Sequence, residues 1–486
     1  MMPIPLLIAL LIAYGLDLSP ADESGGSALS RLLQTGGGII LVAFASLGLG
    51  GWVARRVAHL GYASARVYRR YSQGLRLLTL LSLGTYAWIL YRAGWSDLVL
   101  SRWGLQGLVL LDDLAVFLPY ILIQLLVWTG QHRAERALHA NQPFPRVGSY
   151  LTLRVRQSIG LILPVVLIFV FRQDVFARLW PQWHQTALAE PLELAALAVL
   201  ILMVSPLFIR LAWPTRSLPD GPLRRRLEHV ARRVGFRFND LLIWDTGNLM
   251  VNACVTGVLP GFRYVLLSDA LLETLNPAEV AAVFGHEVGH VAHRHLPFFG
   301  FFFLGTLAML SLATEAVSIP ASWVAWIPWV TPSEAPQVGE MIEGVAMLAC
   351  LGLFFWFVFG YLSRRFERQA DVFGCRVVSC GEADCPPHFD IDEGAAPSGA
   401  NSQALCAVGI QIFCGALASV AERNGIEIAA RSWRHGSIRS RLAFLRGLQM
   451  DPSGEAGFQR RVLGLRIVLV LFLSAALLLA VGMHSY

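Results

Sequence analysis

The sequence predicts an all-α, multi-span membrane protein that also carries a smaller α+β domain with a small sheet. The first observation is composition: 55% of the 486 residues are hydrophobic and only 15% are charged, whereas soluble domains use about 25% charged residues. The second is a mean hydropathy of +0.55. The third is the alternation of long apolar stretches with two long polar regions, 213–296 and 363–464.

The apolar stretches predict the membrane segments. A helix that crosses a bilayer needs about 20 mainly apolar residues, or somewhat fewer where flanking side chains adapt. Nine stretches reach or approach this length, at residues 3–16, 36–54, 77–93, 109–129, 158–172, 192–212, 297–318, 341–362 and 465–484.

The arginines predict the orientation of these segments. Loops 55–71 and 133–156 and both long polar regions are rich in arginine, whereas "DLSPADESGG" and "TPSEAPQVGE" are acidic or neutral. With nine spans and the N-terminus inside, every arginine-rich loop faces the cytoplasm, as the positive-inside rule requires. The formal net charge of +6 is therefore interpreted as a topology signal, and nucleic acid is excluded as a partner.

This pattern divides the chain into five regions. We expect about six spans in 1–212, a first polar part in 213–296, a two-span hairpin in 297–362, a second polar part in 363–464 and a last span in 465–486. In the first polar part, "GPLRRRLEHVARRVGF" has helical periodicity, and "RFNDLLIW", "NLMVNACVTG" and "RYVLLSD" are typical of strands. Asn276, Pro277 and Glu279 then predict a helix start, and we expect this helix to run into the span at 297.

The helix that starts at Asn276 carries a metal-binding pattern. His286-Glu287-Val288-Gly289-His290 fits H-E-x-x-H. Four residues of helix advance about 400°, so both histidines project from one face and can bind one Zn²⁺. Glu287 is placed to take a proton from water bound to the metal. The pattern alone is insufficient, because a catalytic zinc site needs a third protein ligand.

The third ligand is expected from the second polar region. A metzincin site would need glycine at 293 and histidine at 296, but these positions hold His293 and Leu296. In "YLSRRFERQADVFG", Glu367 and Asp371 lie one helical turn apart, so one can bind metal while the other orients a ligand imidazole. His293 and His295 are expected to be interfacial side chains at the end of a span.

Together these motifs resemble the HtpX and type I CAAX prenyl protease family of membrane-bound zinc metallopeptidases. The resemblance covers about 222–450 and rests on "NACVTG", "LLSDALLETLNPAEVAAVFGHEVGHVAHRH", "LSRRFERQAD" and "HGSIRSRL". It implies a gluzincin-like domain. The implied zinc ligands are His286, His290 and Glu367; the implied catalytic residues are Glu287 as general base, Asp371 as support for a histidine ligand, and His435; and the implied substrate-binding residues are Asn252, Ala253 and Arg441. In the family a proline usually follows the histidine that corresponds to His435, whereas this sequence has Gly436 at that position.

The resemblance implies a zinc metalloendopeptidase that hydrolyses peptide bonds of membrane or membrane-associated proteins by Glu-assisted attack of zinc-bound water. The expected partners are an extended peptide, paired beside the strand of Asn252, and the lipid bilayer. The expected location is a bacterial inner membrane, with the active site facing the cytoplasm. Two alternatives remain: a CAAX-type processing protease with one dedicated substrate, and a catalytically weak sensor or scaffold. A site-2-type intramembrane protease is not indicated, because no later L-D-G motif is present.

Overall fold

The computed structural model describes residues 4–14, 27–106, 108, 110–140, 144–171, 176, 179–181, 189–316, 320–324, 326–327, 331, 335–380 and 405–483. It is mostly helical, with one small sheet. The chain divides into two compact units. The first comprises Met1–Trp183, Val204–Arg216 and Trp244–Leu249, and the second comprises His184–Met203, Ser217–Ile243 and Met250–Tyr486.

The first unit consists of long apolar helices. They are α1 (Ile4–Tyr14), α2 (Ala28–Leu60), α3 (Ala65–Tyr91), α4 (Leu111–Leu138) and α5 (Val147–Val170), together with the end of α6 (Ala189–Ala212) and a short turn, Trp95–Asp97, that continues as a π-helical turn, Leu98–Arg102. The Ser27 side chain caps the start of α2, and Gly61, with φ of 74°, ends it, because glycine adopts the left-handed conformation without a steric cost.

Close backbone contact holds α2 against α4. A Cβ added to Gly50 would lie 2.3 Å from the carbonyl oxygen of Gly130, so only glycine fits at this crossing. Nearby, Ser46 Oγ donates a hydrogen bond of 3.0 Å to the carbonyl of Val127. Polar groups are also paired in this unit: Arg154 Nη2 lies 3.1 Å from both carboxylate oxygens of Glu135. Such pairing offsets the cost of placing charges in apolar surroundings.

The second unit combines a small sheet with helices. Its elements are β1 (Thr215–Ser217, which begins in the first unit), α7 (Pro222–Arg233), β2 (Asp240–Trp244), β3 (Ala253–Thr256), the 3₁₀ turn Pro260–Phe262, β4 (Tyr264–Ser268), α8 (Asp269–Thr274), α9 (Pro277–Ala292), α10 (His295–Ala316), the short helix Ala321–Val324, α11 (Ala335–Phe354), the π-helical turn Phe355–Phe359, α12 (Gly360–Val377), α13 (Ala407–Arg423), α14 (Ile438–Met450) and α15 (Gly454–Met483).

The strands form one sheet in the order β1-β2-β4-β3, which leaves β3 at an edge. β3 pairs with β4 in antiparallel register, with Cys254 opposite Leu266. Just before β3, the carbonyl of Asn252 accepts a hydrogen bond of 3.0 Å from the Ser268 N–H. Because backbone groups alternate in direction along a strand, Cys254 also faces β4, and Ala253 and Val255 direct their N–H and C=O groups to the open edge.

The helices coincide with all nine predicted apolar stretches. Among the described residues, six helices are long and apolar enough to cross a membrane, by length and composition: Ala28–Leu60, Ala65–Tyr91, Leu111–Leu138, Val147–Leu167, Ile342–Val377 and Gly454–Ala480. Val199–Ala212 and His295–Leu310 are shorter apolar segments, and α1 has 11 residues. A membrane-spanning protein with a small sheet is therefore confirmed, whereas the count of nine spans stays a prediction.

The prediction that the H-E-x-x-H helix runs into the next span was wrong. α9 ends at Ala292, Arg294 has φ of 54°, and α10 begins at His295. A left-handed residue interrupts the helical hydrogen bonding and redirects the chain. His295 therefore does not continue the face of α9.

Candidate metal centre

The start of α9 is fixed by its own sequence. The Asn276 side chain accepts hydrogen bonds from the N–H groups of Ala278 and Glu279, and Glu279 accepts one from the Asn276 N–H. This capping box, with Pro277 in the first turn, confirms the predicted helix start.

Glycines bring α9 close to α12. A Cβ added to Gly285 would lie 2.9 Å from the Cβ of Val377, and one added to Gly289 would lie 3.1 Å from the Cα of Ala370. From α12, a Cβ on Gly374 would lie 2.8 Å from the Ala282 carbonyl oxygen. Larger residues at these positions would push the helices apart. The close packing places the histidines of α9 beside the acids of α12.

His286, His290 and Glu367 form a group that could hold a metal ion, with one ligand atom of each lying within 4.8 Å of the others. The two histidine Nε2 atoms are 3.3 Å apart. Glu367 lies 3.8 Å from the His286 Nε2 and 3.9 Å from the His290 Nε2. Ligand atoms bound about 2 Å from a tetrahedral Zn²⁺ are about 3.3 Å apart, so the nitrogen and oxygen donors present fit zinc.

Asp371 supports His286 on the side away from this group. Its Oδ1 atom lies 3.0 Å from His286 Nδ1, within hydrogen-bonding distance although the N–H is not well aligned with the oxygen. Burial lowers the pKa of His286, but the contact with Asp371 and its charge more than offset this, so that the pKa is raised. A carboxylate behind a ligand histidine fixes its tautomer and ring orientation.

Arg441 lies beneath both acids rather than on an open cleft. Its Nε atom donates to Asp371 Oδ2 at 2.8 Å, its Nη2 donates to Asp371 Oδ1, and its Nη1 is 3.3 Å from Glu367 Oε2. The side chain is buried. The residue that the resemblance assigns to substrate binding is thus positioned to hold Glu367 and Asp371 in place.

His290 contacts a second histidine that was expected elsewhere. His290 Nδ1 lies 2.9 Å from His295 Nδ1, and only 1% of the His295 surface is exposed. The interpretation of His295 as an interfacial side chain was wrong, because the break at Arg294 turns its ring back toward α9. His293, by contrast, stays partly exposed.

Glu287 lies next to the ligand group in a setting that favours its protonated form. Burial, opposed by the positive charge of His286, raises the pKa of Glu287 to about 7. The backbone N–H of Val255 on β3 donates a hydrogen bond to its carboxylate. The candidate base therefore faces the open edge of the sheet, and its pKa lies near the value that suits proton transfer at neutral pH.

His435 also reaches the site. Its Nδ1 atom lies 2.8 Å from Glu367 Oε1, and half of the side chain is exposed. A bridge between Ser432 and Gly436 closes the loop that carries it. Gly436 has φ of 73°, which proline cannot adopt, so the glycine that departs from the family pattern belongs to this loop conformation.

The structure brings together six of the nine residues predicted for the site, namely Glu287, His435, Asp371, His286, His290 and Glu367, with Arg441 directly behind them. Ala253 directs its backbone to the open edge of β3, whereas the Asn252 backbone is engaged with Ser268. Sequence reasoning missed the glycines at the α9–α12 contact. Their spacing, Gly285 and Gly289 one turn apart, was a usable signal of close helix packing.

Comparison with known proteins supports the same family. Residues 217–388 match the family model for Peptidase family M48. A "CAAX prenyl protease 1" of Saccharomyces cerevisiae is 24% identical over 205 residues, covering 39% of this chain and 44% of the relative. A "Protease HtpX homolog" of Aeropyrum pernix is 27% identical over 230 residues, covering 46% of this chain and 69% of the relative. The matched segment thus spans less than half of the yeast relative.

A solved structure shares the fold. The crystal structure of S. mikatae Ste24p matches with a TM-score of 0.51 at 16% identity, covering 86% of this chain and all of that chain. At this identity the likeness concerns the fold alone. The family match over 217–388 confirms the resemblance that the motifs predicted: this part of the chain matches the M48 peptidases, and it is similar to HtpX and CAAX prenyl proteases.

Proposed function

We propose that the chain is a membrane-embedded zinc metalloendopeptidase. The observation that carries this is the convergence of His286, His290 and Glu367 within 4.8 Å, with Glu287 alongside. Two imidazoles and a carboxylate form a donor set typical of catalytic zinc, which keeps a fourth position open for water or substrate. The alternative of a non-catalytic sensor or scaffold is not favoured, since the ligands and the base are all present.

The residues divide the chemistry between them. Bound zinc would lower the pKa of water and polarise the peptide carbonyl. Glu287 removes a proton from the attacking water, so that a C–O bond forms at the carbonyl carbon. The same carboxyl then gives the proton to the amide nitrogen as the C–N bond breaks. His435 is half exposed, and its Nδ1 atom faces Glu367 Oε1, so Nε2 of the doubly protonated ring would donate a hydrogen bond to the carbonyl oxygen as negative charge develops there.

The substrate would bind in extended form along β3. The backbone groups of Ala253 and Val255 point to the open edge, and the Val255 N–H already contacts Glu287. A peptide that adds a strand at this edge would bring its own backbone next to the base. Because only unfolded chain can pair in this way, locally unfolded segments of membrane or membrane-associated proteins are the proposed substrates.

The active site is proposed to face the cytoplasm of a bacterial inner membrane. The support is the arginine-rich short loops 55–71 and 133–156, together with the arginines near the span ends of the 213–296 and 363–464 regions, since arginines in short loops or within about 20 residues of a span remain on the cytoplasmic side. The five-region division of the chain is proposed on the same basis.

The deciding experiment measures zinc and proteolysis in the purified full chain. We expect about one zinc per chain, cleavage of casein, loss of cleavage with a chelator and recovery with added zinc. Glu287→Gln is the matched variant, because it preserves size and leaves all three ligands. It should retain zinc while activity falls about 100-fold or more. Normal turnover by this variant, in protein free of contaminating protease, would exclude the mechanism.

A further inference from the structure

A line of buried and half-buried polar side chains leads away from His290 within the second unit. His290 Nδ1 is 2.9 Å from His295 Nδ1, and His295 Nε2 is 3.2 Å from Gln369 Oε1. Gln369 Nε2 donates a hydrogen bond of 2.6 Å to Gln459 Oε1. His295 and Gln369 are 1% and 5% exposed, so the middle of this line is shielded from solvent. It connects α9, α10, α12 and α15.

The direction of the hydrogen bonds follows from the ligand role of His290. A neutral imidazole that binds metal through Nε2 carries its proton on Nδ1. His290 Nδ1 then donates, and His295 Nδ1 accepts. The His295 proton must therefore lie on Nε2, where it is donated to Gln369 Oε1. The amide of Gln369 is fixed in this orientation because its nitrogen donates to Gln459. The reverse direction would place a proton on His290 Nε2 and prevent metal binding.

We propose that His295 is a positioning residue for the metal ligand His290, with Gln369 as the group that fixes the His295 tautomer. The inference rests on the proposed zinc site. Its role mirrors that of Asp371 behind His286, so that each ligand histidine has its own partner on Nδ1. The partner of His290 is a neutral imidazole, whereas that of His286 is a carboxylate.

The helix break between α9 and α10 makes this contact possible. In a continuous helix, a residue five positions beyond His290 would lie about 140° around the axis and about 7.5 Å further along it. It could not reach Nδ1. The left-handed Arg294 (φ of 54°) interrupts the helix, and Arg466 Nη1 donates a hydrogen bond of 2.9 Å to the carbonyl of His293 just before it. A non-glycine residue in this conformation is strained, and the contact of His295 with His290 is what the strained turn provides.

Packing fixes the His295 ring in the required plane. It stacks on Phe366 with centroids 4.1 Å apart and planes 5° apart. Phe366 immediately precedes Glu367, so the same short segment of α12 supplies a metal ligand and the surface on which His295 rests. An aromatic replacement at 295 should therefore keep the packing and remove only the hydrogen bond.

The test is zinc affinity in the purified full chain, measured by competition with a chromophoric chelator. His295→Phe keeps the stack on Phe366 and should weaken zinc binding by about 10 to 100-fold. Gln369→Met removes the acceptor for His295 and should weaken it in the same direction. Gln369→Glu keeps that acceptor and, with Gln459 turned to donate, should bind zinc within about 3-fold of the unaltered protein. His293→Ala, a change beside the line, should also stay within about 3-fold.

The outcomes separate this inference from the proposed function. If the unaltered protein binds no zinc, the proposed function fails. If it binds zinc and His295→Phe binds equally well, the positioning role of His295 is overturned and the zinc site stands. Should His295→Phe fail to fold, the Gln369 pair decides: equal zinc affinity of Gln369→Met and Gln369→Glu overturns the proposal, and recovery in Gln369→Glu supports it.

Discussion

The guanidinium of Arg441 binds both carboxylate oxygens of Asp371, with Nε donating to Oδ2 at 2.8 Å and Nη2 donating to Oδ1. Asp371 is fully buried, and such a charge is tolerated only when it is paired. The surroundings raise the pKa of Arg441: burial lowers it, but the charge of Asp371 outweighs burial. This two-point contact anchors α14 to α12. It also holds in place Asp371, which lies against His286.

The roles of the two acids on α12 predict graded effects on zinc. Glu367→Ala would remove the proposed third ligand, and two histidines alone hold zinc poorly, so zinc and activity should be lost together. Asp371→Ala removes only the group behind His286 and should weaken zinc binding by about 10 to 100-fold. Zinc content and chelator competition on the purified variants distinguish the two. A Glu367→Ala protein with stoichiometric zinc and normal cleavage would show that α12 is not half of the site.

Loss of His435 should lower activity and leave zinc binding nearly unchanged. This histidine contacts Glu367 Oε1 from a half-exposed position and is not needed to complete the ligand set. His435→Phe should therefore keep zinc affinity within a few-fold, while kcat falls by about 10² to 10³, as for loss of a hydrogen bond to a developing oxyanion. Steady-state kinetics with zinc-saturated protein provides the measurement. Unchanged kcat would leave His435 as a structural partner of Glu367.

The orientation in the membrane predicts which loops can be labelled. In a chain with its own cysteines replaced, single cysteines placed in 380–400 should react from the cytoplasmic side, and those in 331–338 should not. The reason is the arginine asymmetry together with nine spans. Residues 381–404 lie outside the described part of the chain, so labelling tests them independently. Protection of 380–400 would require the span count to change by one, most simply at the short 158–172 segment.

The sequence predicted which side chains converge, because that information is local, whereas the choice of Glu367 over Asp371 as the metal ligand came from the family resemblance. The spacing of His286 and His290 determines one helix face, and that of Glu367 and Asp371 determines another. The helix start at Asn276 follows equally from neighbouring residues, and the structure has the predicted capping box.

The features that the sequence did not predict depend on the third dimension. The position of His295 in the sequence, just before an apolar stretch, indicated an interfacial histidine. Only the turn at Arg294, with φ of 54°, places it against His290. The resemblance assigns Arg441 to substrate binding, and only the structure shows that its side chain is buried against Asp371. A left-handed arginine has no sequence signature as clear as that of glycine, so the break between α9 and α10 could not be foreseen.

The open edge of β3 predicts how the substrate backbone is recognised. The Asn252 carbonyl pairs with Ser268, so Ala253 and Val255 direct their N–H and C=O groups to the open edge, where the Val255 N–H contacts Glu287. A peptide added at this edge pairs through alternate residues only, because every second backbone group points away from the strand. Methylation of a substrate N–H that points to β3 removes a hydrogen bond and introduces a clash. Methylation of the next N–H along does neither.

A series of peptides, each N-methylated at one position along a cleaved sequence, should therefore show kcat/KM alternating with a period of two residues. The sensitive positions should lose about 10-fold or more, equivalent to about 1.4 kcal/mol, and the others should change little. Cleavage of each peptide by zinc-loaded protein gives the profile, with unmethylated peptide as the reference. A profile without alternation, or one with sensitivity only next to the cleaved bond, would show that the substrate does not pair with β3 and would move its binding away from the strand of Ala253.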